Sequence, residues 1–219
     1  MYVLVNAAMS ADGKLSSRRR EQIAISGDAD FARVDRCRAV ADGILIGVGT
    51  VLADNPSLLR HDEQYGREQR GTNVSPPARI IADSNCRTPT DSDVLAGDAK
   101  TYILTTESAS VARRSKLRDA GAELIVAGTD RVDLTEAFTK LGSAGIEQLF
   151  VEGGGELIFS LFEAELVDEL TVYIGNVIFG GRDAPTLADG DGFVSGFPTL
   201  SLRSVEQLDT GVLLSWSVE

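Results

Sequence analysis

Short apolar runs recur along the chain, separated by stretches long enough to hold one helix each. Residues 2–8, 43–49, 79–83, 101–105, 123–127, 148–152 and 169–177 are rich in Val, Ile and Leu and are predicted strands. Several are apolar without alternation, the pattern of strands covered on both faces. Between them, residues 26 or 28 to 40, 110–120, 133–141 and 156–165 carry helical spacing, with Ser, Asp or Gly at their starts. This alternation predicts an α/β fold with a largely parallel sheet flanked by helices. The end of the chain departs from it. Residues 200–208 and 212–218 flank Asp209-Thr210-Gly211 and predict an antiparallel hairpin, hence a mixed sheet with an antiparallel edge. Residues 62–75 are polar and contain glycine, and are expected to form an exposed loop. No shift in composition marks a boundary, so residues 1–219 are expected to act as a single domain.

Composition narrows the function mainly by exclusion. With 43% hydrophobic and 25% charged residues, the 219-residue chain is globular rather than disordered. Its formal net charge of −12 disfavours a nucleic-acid partner, which calls for a basic surface. Arg18, Arg19 and Arg20 form a local cluster that suits, at most, one small anion. The acidic excess fits either a protein adapted to concentrated salt or an ordinary acidic enzyme. Cys37 and Cys86 lie far apart with no C-x-x-C, and His61 is the single histidine, so no zinc cluster is expected and both thiols should be free. No G-x-S-x-G elbow is present. No apolar run approaches the ~20 residues of a membrane span, and no basic leader precedes the first strand. A soluble, cytoplasmic protein is expected.

Two segments carry candidate chemistry. Glu152-Gly153-Gly154-Gly155-Glu156 follows an apolar run and precedes a helical one. Consecutive glycines at such a turn let backbone N–H groups approach an anion, and the helix N-terminus adds partial positive charge, which suits a pyrophosphate. The second segment, residues 42–58, runs through Gly47-Val48-Gly49 and then presents Thr50, Asp54 and Asn55 beyond a buried strand, where open α/β sheets place ligands. It is not a dinucleotide fingerprint, because Leu52 stands where the third glycine belongs; nor does the chain contain G-x-x-x-x-G-K-[ST].

Together with Ser10-x-Asp12-Gly13-Lys14, Ala82-Asp83-Ser84 through Arg87, Val167-Asp168-Glu169-Leu170, Ile178-Phe179-Gly180-Gly181 and Ala184-Pro185-Thr186, these segments resemble a known family. It is the reductase family of riboflavin biosynthesis, in the dihydrofolate-reductase-like superfamily, and the resemblance is strongest to its stand-alone archaeal type. The fold implied is a dihydrofolate-reductase-like mixed sheet. The activity implied is an NADPH-dependent hydride transfer, with NADH as the other nicotinamide cofactor, to C1′ of a phosphorylated ribosylaminopyrimidinone opened to its imine. On the family pattern, Thr50, Asp54, Asp83, Ser84, Asn85, Cys86, Arg87, Gly153, Gly154, Gly155 and Glu156 meet the cofactor. Lys14, Ser26, Arg38, Asn55, Leu58, His61 and Glu152 meet the substrate. Asp54, then Lys14, are the implied catalytic residues, and no metal is required. Arg87, always charged, suits a 2′-phosphate. A homodimer is implied as well. The deaminase half of bifunctional relatives has no counterpart, since no H-x-E with P-C-x-x-C occurs. Two other readings stay open at this point: another pterin or dihydrofolate reductase, and a non-catalytic nucleotide-binding protein on the same scaffold.

Overall fold

The structure, a computed structural model, describes residues 1–21, 23–71 and 75–219. The described chain divides into two compact units, one of residues 35–150 and the other of residues 2–34 with 151–219.

The first unit holds the strands β2 (Gly43–Gly47), β3 (Ala78–Ala82), β4 (Thr101–Thr105), β5 (Glu123–Val126) and β6 (Gln148–Val151), in the order β5-β4-β3-β2-β6. β2, β3, β4 and β5 pair in parallel. Ile44, Ile46, Ile81 and Ile103 form an apolar centre with Leu117 of helix α4 (Val111–Asp119), which accounts for the unalternating runs in the sequence. Helix α5 (Leu134–Ser143) is started by Asp133, whose carboxylate accepts from Glu136 N–H at 2.9 Å.

Two helices of this unit were not expected. The apolar run from Gly43 does not continue as strand to Gly49: it turns at Gly47 into helix α2 (Val48–Asp54), with Val48 and Val51 buried. Within the polar stretch 62–75, helix α3 (Glu63–Arg70) stands where a loop was expected; its residues 72–74 lie outside the described residues. α3 is held by polar contacts rather than by an apolar stripe. Asp62 caps it by accepting from Tyr65 N–H at 2.9 Å. Arg70, in its last turn, donates to Ala41 O at 2.7 Å and to Asp42. Asp42 in turn accepts from Glu147 and Gln148 N–H, each at 2.9 Å. The wholly buried Arg79 guanidinium donates to the carbonyls of Asp93 (3.1 Å), Ala96 (2.7 Å) and Ala99 (2.6 Å), fixing the short 3₁₀ turn Asp93–Leu95. Burial lowers its pKa.

The second unit orders its strands β1-β7-β9-β8, where β1 is Tyr2–Met9, β7 Glu169–Ile174, β8 Leu200–Leu208 and β9 Gly211–Val218. β1 and β7 are parallel, β9 is antiparallel to β7, and β8 is antiparallel to β9, so the expected terminal hairpin is present. Helix α6 (Gly155–Glu163) buries Leu157, Ile158, Phe159 and Leu161. Asp209, at the hairpin turn with φ 50°, accepts from the N–H groups of Ala29 (3.3 Å) and Asp30 (3.1 Å), capping helix α1 (Asp28–Val40) from a position remote in sequence. Gly27 makes room for it: a Cβ there would lie 2.7 Å from Asp209 Cγ. Beneath the helix, Arg33 pairs with buried Asp30 at 2.8 Å and donates to Asn6 Oδ1 at 2.6 Å, which also accepts from Thr171 Oγ1 at 2.9 Å.

Removing the remote cap should cost what a lost N-cap costs. Asp209→Ala is expected to destabilise the protein by about 1 kcal/mol in urea unfolding, and an unchanged midpoint would contradict this role.

Candidate functional site

In both units the candidate residues cluster where parallel strands end. In the first, α2 follows the carboxyl end of β2 and carries Thr50 and Asp54. Asp54 is solvent-accessible, yet partial desolvation raises its carboxyl pKa above the ordinary value, which favours the proton-bearing form. Asn55 ends α2 in the left-handed conformation (φ 42°), and its Oδ1 accepts from Asp93 N–H at 2.9 Å. Leu58 also adopts a positive φ, 55°, and its side chain is part of the apolar centre, so only its backbone is available to a ligand.

The expected cofactor residues 83–87 form the turn after β3. Asp83 is wholly buried, and its Oδ2 accepts from Thr88 N–H at 2.7 Å and Thr88 Oγ1 at 2.8 Å. Ser84 O accepts from Thr105 Oγ1 (3.1 Å) and Thr106 Oγ1 (2.8 Å), and Ser84 Oγ from Val132 N–H (3.2 Å). Cys86, at φ 52°, points into the core with Sγ 3.1 Å from Thr105 Oγ1. Asp83 and Cys86 therefore shape the turn, while Asn85 and Arg87 are exposed on it. Thr88, Thr105 and Thr106 were not among the residues expected from the sequence; the signal for the last two is a pair of hydroxyl residues at the end of an apolar strand, and Thr88, six residues past β3, has none.

Arg38, Arg60 and His61 also belong to this unit. Arg60 Nε pairs with Asp35 at 2.8 Å, and Arg38 lies 3.7 Å from the same carboxylate while donating to Arg60 O at 3.1 Å. His61 Nδ1 lies 2.7 Å from Leu59 O; a carbonyl only accepts, so Nδ1 carries the proton there.

In the second unit, the turn after β1 is tied to the segment after β7. Asp12 Oδ1 accepts from Ser10 Oγ (2.7 Å) and Phe179 N–H (3.0 Å), and its Oδ2 from Gly180 N–H (2.7 Å). These bonds, led by that from Ser10, lower its pKa from 3.8 to about 2. The turn presents Lys14, which forms an antiparallel bridge with Thr186, while Leu15 N–H donates to Pro185 O at 2.9 Å. Ser26 is half-buried, two residues before α1. After Val151, Glu152 leads into Gly153 (φ 117°) and Gly154 (φ 95°), and α6 begins at Gly155. No side chain caps this N-terminus. A Cβ on Gly153 would meet nothing within 4 Å, so the space before it is open. A Cβ on Gly155 would lie 2.5 Å from Thr186 O and 2.6 Å from Asp189 Oδ2, so only glycine permits that approach. Among the described residues, no group of three or more His, Cys, Asp or Glu is arranged to hold a metal, and no helix is long and apolar enough to cross a membrane.

A comparison with protein families matches residues 1–214 to the RibD C-terminal domain. The chain belongs to this family. Among relatives of this RibD C-terminal domain, the 2,5-diamino-6-ribosylamino-4(3H)-pyrimidinone 5′-phosphate reductase of Archaeoglobus fulgidus is 41% identical over 213 residues, covering 96% of this chain and 94% of the relative. The enzyme of the same name from Methanothermobacter thermautotrophicus is 44% identical over 191 residues, 87% of this chain and 85% of its own. A pyrimidine reductase-like protein of Corynebacterium diphtheriae superposes with a TM-score of 0.85 at 20% identity, covering 100% of this chain and 92% of that one, a likeness of fold. The two archaeal relatives are reductases by name, a chemistry that implies a nicotinamide cofactor. The uncapped, glycine-lined start of α6 fits such a group, since it offers first-turn N–H donors beside open space to a pyrophosphate.

The Asp12 clamp gives this chain a definite acid response. A carboxyl whose pKa is depressed on folding stabilises the fold above its unfolded pKa, and that contribution disappears as the pH falls through the folded value. The stability gap between wild type and Asp12→Asn should therefore hold near neutrality and close between pH 3.8 and about 2. Urea titrations across that range test it, and a gap independent of pH would contradict it.

Proposed function

We propose that this chain reduces 2,5-diamino-6-ribosylamino-4(3H)-pyrimidinone 5′-phosphate to its ribitylamino counterpart with NADPH, as a single reductase domain. The observation that carries the reading is the 41% identity, over 96% of the chain, to a reductase of that substrate. When bound, the nicotinamide supplies the hydride that adds at C1′. The chain's own residues bind, orient and manage one proton.

In this reading the start of α6, from Gly153 to Glu156, receives the pyrophosphate through backbone N–H groups. Thr50 and Asp54 on α2 meet the nicotinamide side, and the turn from Asp83 to Arg87 the adenosine side, where Arg87 favours NADPH over NADH. Lys14 and Arg38 supply positive charge for the ribose phosphate. Ser26, Asn55, the Leu58 backbone and His61 add contacts, and Glu152 accepts from the amino groups of the pyrimidinone. Reduction of an imine needs a proton at nitrogen as well as the hydride at carbon. Asp54 is suited to hold that proton because desolvation raises its pKa. No metal is assigned. A soluble, cytoplasmic homodimer completes the reading: β8 is an edge strand with Leu200, Leu202 and Val205 exposed, a surface that pairing would cover.

Following the absorbance of reduced cofactor with the ribosylaminopyrimidinone phosphate tests the assignment. Turnover with dihydrofolate or dihydropterin alone, or no turnover with any of these, would overturn it. Asp54→Asn should lower kcat by about 100-fold or more with the fold intact. Lys14→Ala should raise the substrate KM by about 10-fold while leaving that for NADPH unchanged. Near-normal kcat in the first variant, or an unchanged KM in the second, removes that residue from its role.

A further inference from the structure

We propose that Arg113, on the first turn of α4, reads the cofactor's 2′-phosphate alongside Arg87 and so sets the preference for NADPH over NADH. The inference rests on the assignment of residues 83–87 to the adenosine side of the cofactor.

The turn after β3 is a fixed platform. Asp83 is locked to Thr88 below it, and Ser84 O is held by two threonine hydroxyls at 3.1 and 2.8 Å. From α4, Arg113 reaches over this platform and its Nη1 donates to Asn85 O at 3.3 Å, two residues before Arg87. That single bond engages one of the five N–H donors of a guanidinium. Arg113 and Arg87 are both exposed, and neither has a carboxylate partner among the described residues.

The charge around them is opposite to that of the protein. In a chain of net charge −12, the nine residues of α4 carry Arg113, Arg114, Lys116 and Arg118 against Asp119 alone. The field reaches the platform. Burial and the Asp83 carboxylate, which is itself held by Thr88, raise the Cys86 thiol pKa, while the Thr105 hydrogen bond, Arg114 and Arg118 lower it. Nearby acids are occupied elsewhere: Asp133 caps α5, and Glu136 accepts from Lys140 and from Gly128 N–H. Two exposed guanidinium groups at one turn select a phosphate monoester, whose oxygens they meet in fork geometry. On the adenosine side of a nicotinamide cofactor, that group is the 2′-phosphate, which NADH lacks.

The test is calorimetric titration of the full chain with NADPH, NADH and 2′-AMP, in wild type, Arg113→Ala, Arg113→Lys and, as a control, Arg67→Ala on α3, an exposed residue paired only with Glu63. Wild type should bind NADPH more tightly than NADH. Arg113→Ala should weaken NADPH and 2′-AMP by about 10- to 100-fold and leave NADH within twofold. Arg113→Lys should recover part of the loss, and Arg67→Ala should match wild type. Equal losses for NADPH and NADH, or no loss for NADPH, would overturn the role of Arg113. Wild type binding both cofactors equally would overturn the phosphate subsite while leaving the nicotinamide reading intact. Wild type binding neither would overturn both.

Discussion

Every parallel strand in this protein must leave the sheet at its carboxyl end with backbone groups that no hairpin can satisfy. The solution recurs: a short polar side chain turns back and satisfies the turn. Asp12 does so after β1 and Asp83 after β3, and the hydroxyls of Thr105 and Thr106 at the end of β4 donate to Ser84 O in the turn after β3. Lys14, Asn85 and Arg87, proposed to meet ligands, stand on turns whose shape these bonds fix. Their shape is set by side-chain hydrogen bonds to the turn as well as by apolar burial.

This division of labour explains how much was legible in the sequence. Strand runs such as Ile44 to Ile46 announce themselves, because strands covered on both faces must be apolar throughout. The glycine turn before α6 was legible for a related reason: consecutive glycines are costly unless the backbone needs them. Helix α2 was hidden because Val48 extends the apolar run of β2 without a polar break, and Gly47 and Gly49 give the only punctuation there. Helix α3, with hardly an apolar side chain, has no period to detect; Asp62 and the Arg70–Asp42 pair supply what a stripe would have supplied.

The candidate site was legible by position but not by orientation. Leu58 and Cys86 fall on the expected segments, yet positive φ values of 55° and 52° turn their side chains inward. Non-glycine residues seldom adopt that conformation, and nothing in a one-dimensional pattern marks it. Asp83 is similar: an acid beyond a strand reads as a ligand contact, and burial beside Thr88 makes it a support for its exposed neighbours Asn85 and Arg87.

The cap that Asp209 places on α1 bears on the order in which the chain can mature during synthesis. Residues 35–150 are contiguous and can condense as they emerge from the ribosome. The other unit joins segments far apart in sequence: β1 waits for β7, and α1 waits for a carboxylate 179 residues beyond Asp30. Closing a loop of that length is entropically costly and slow to reward. β1, made well before β7, is thus completed late, and until then its apolar residues must avoid a partner in another chain.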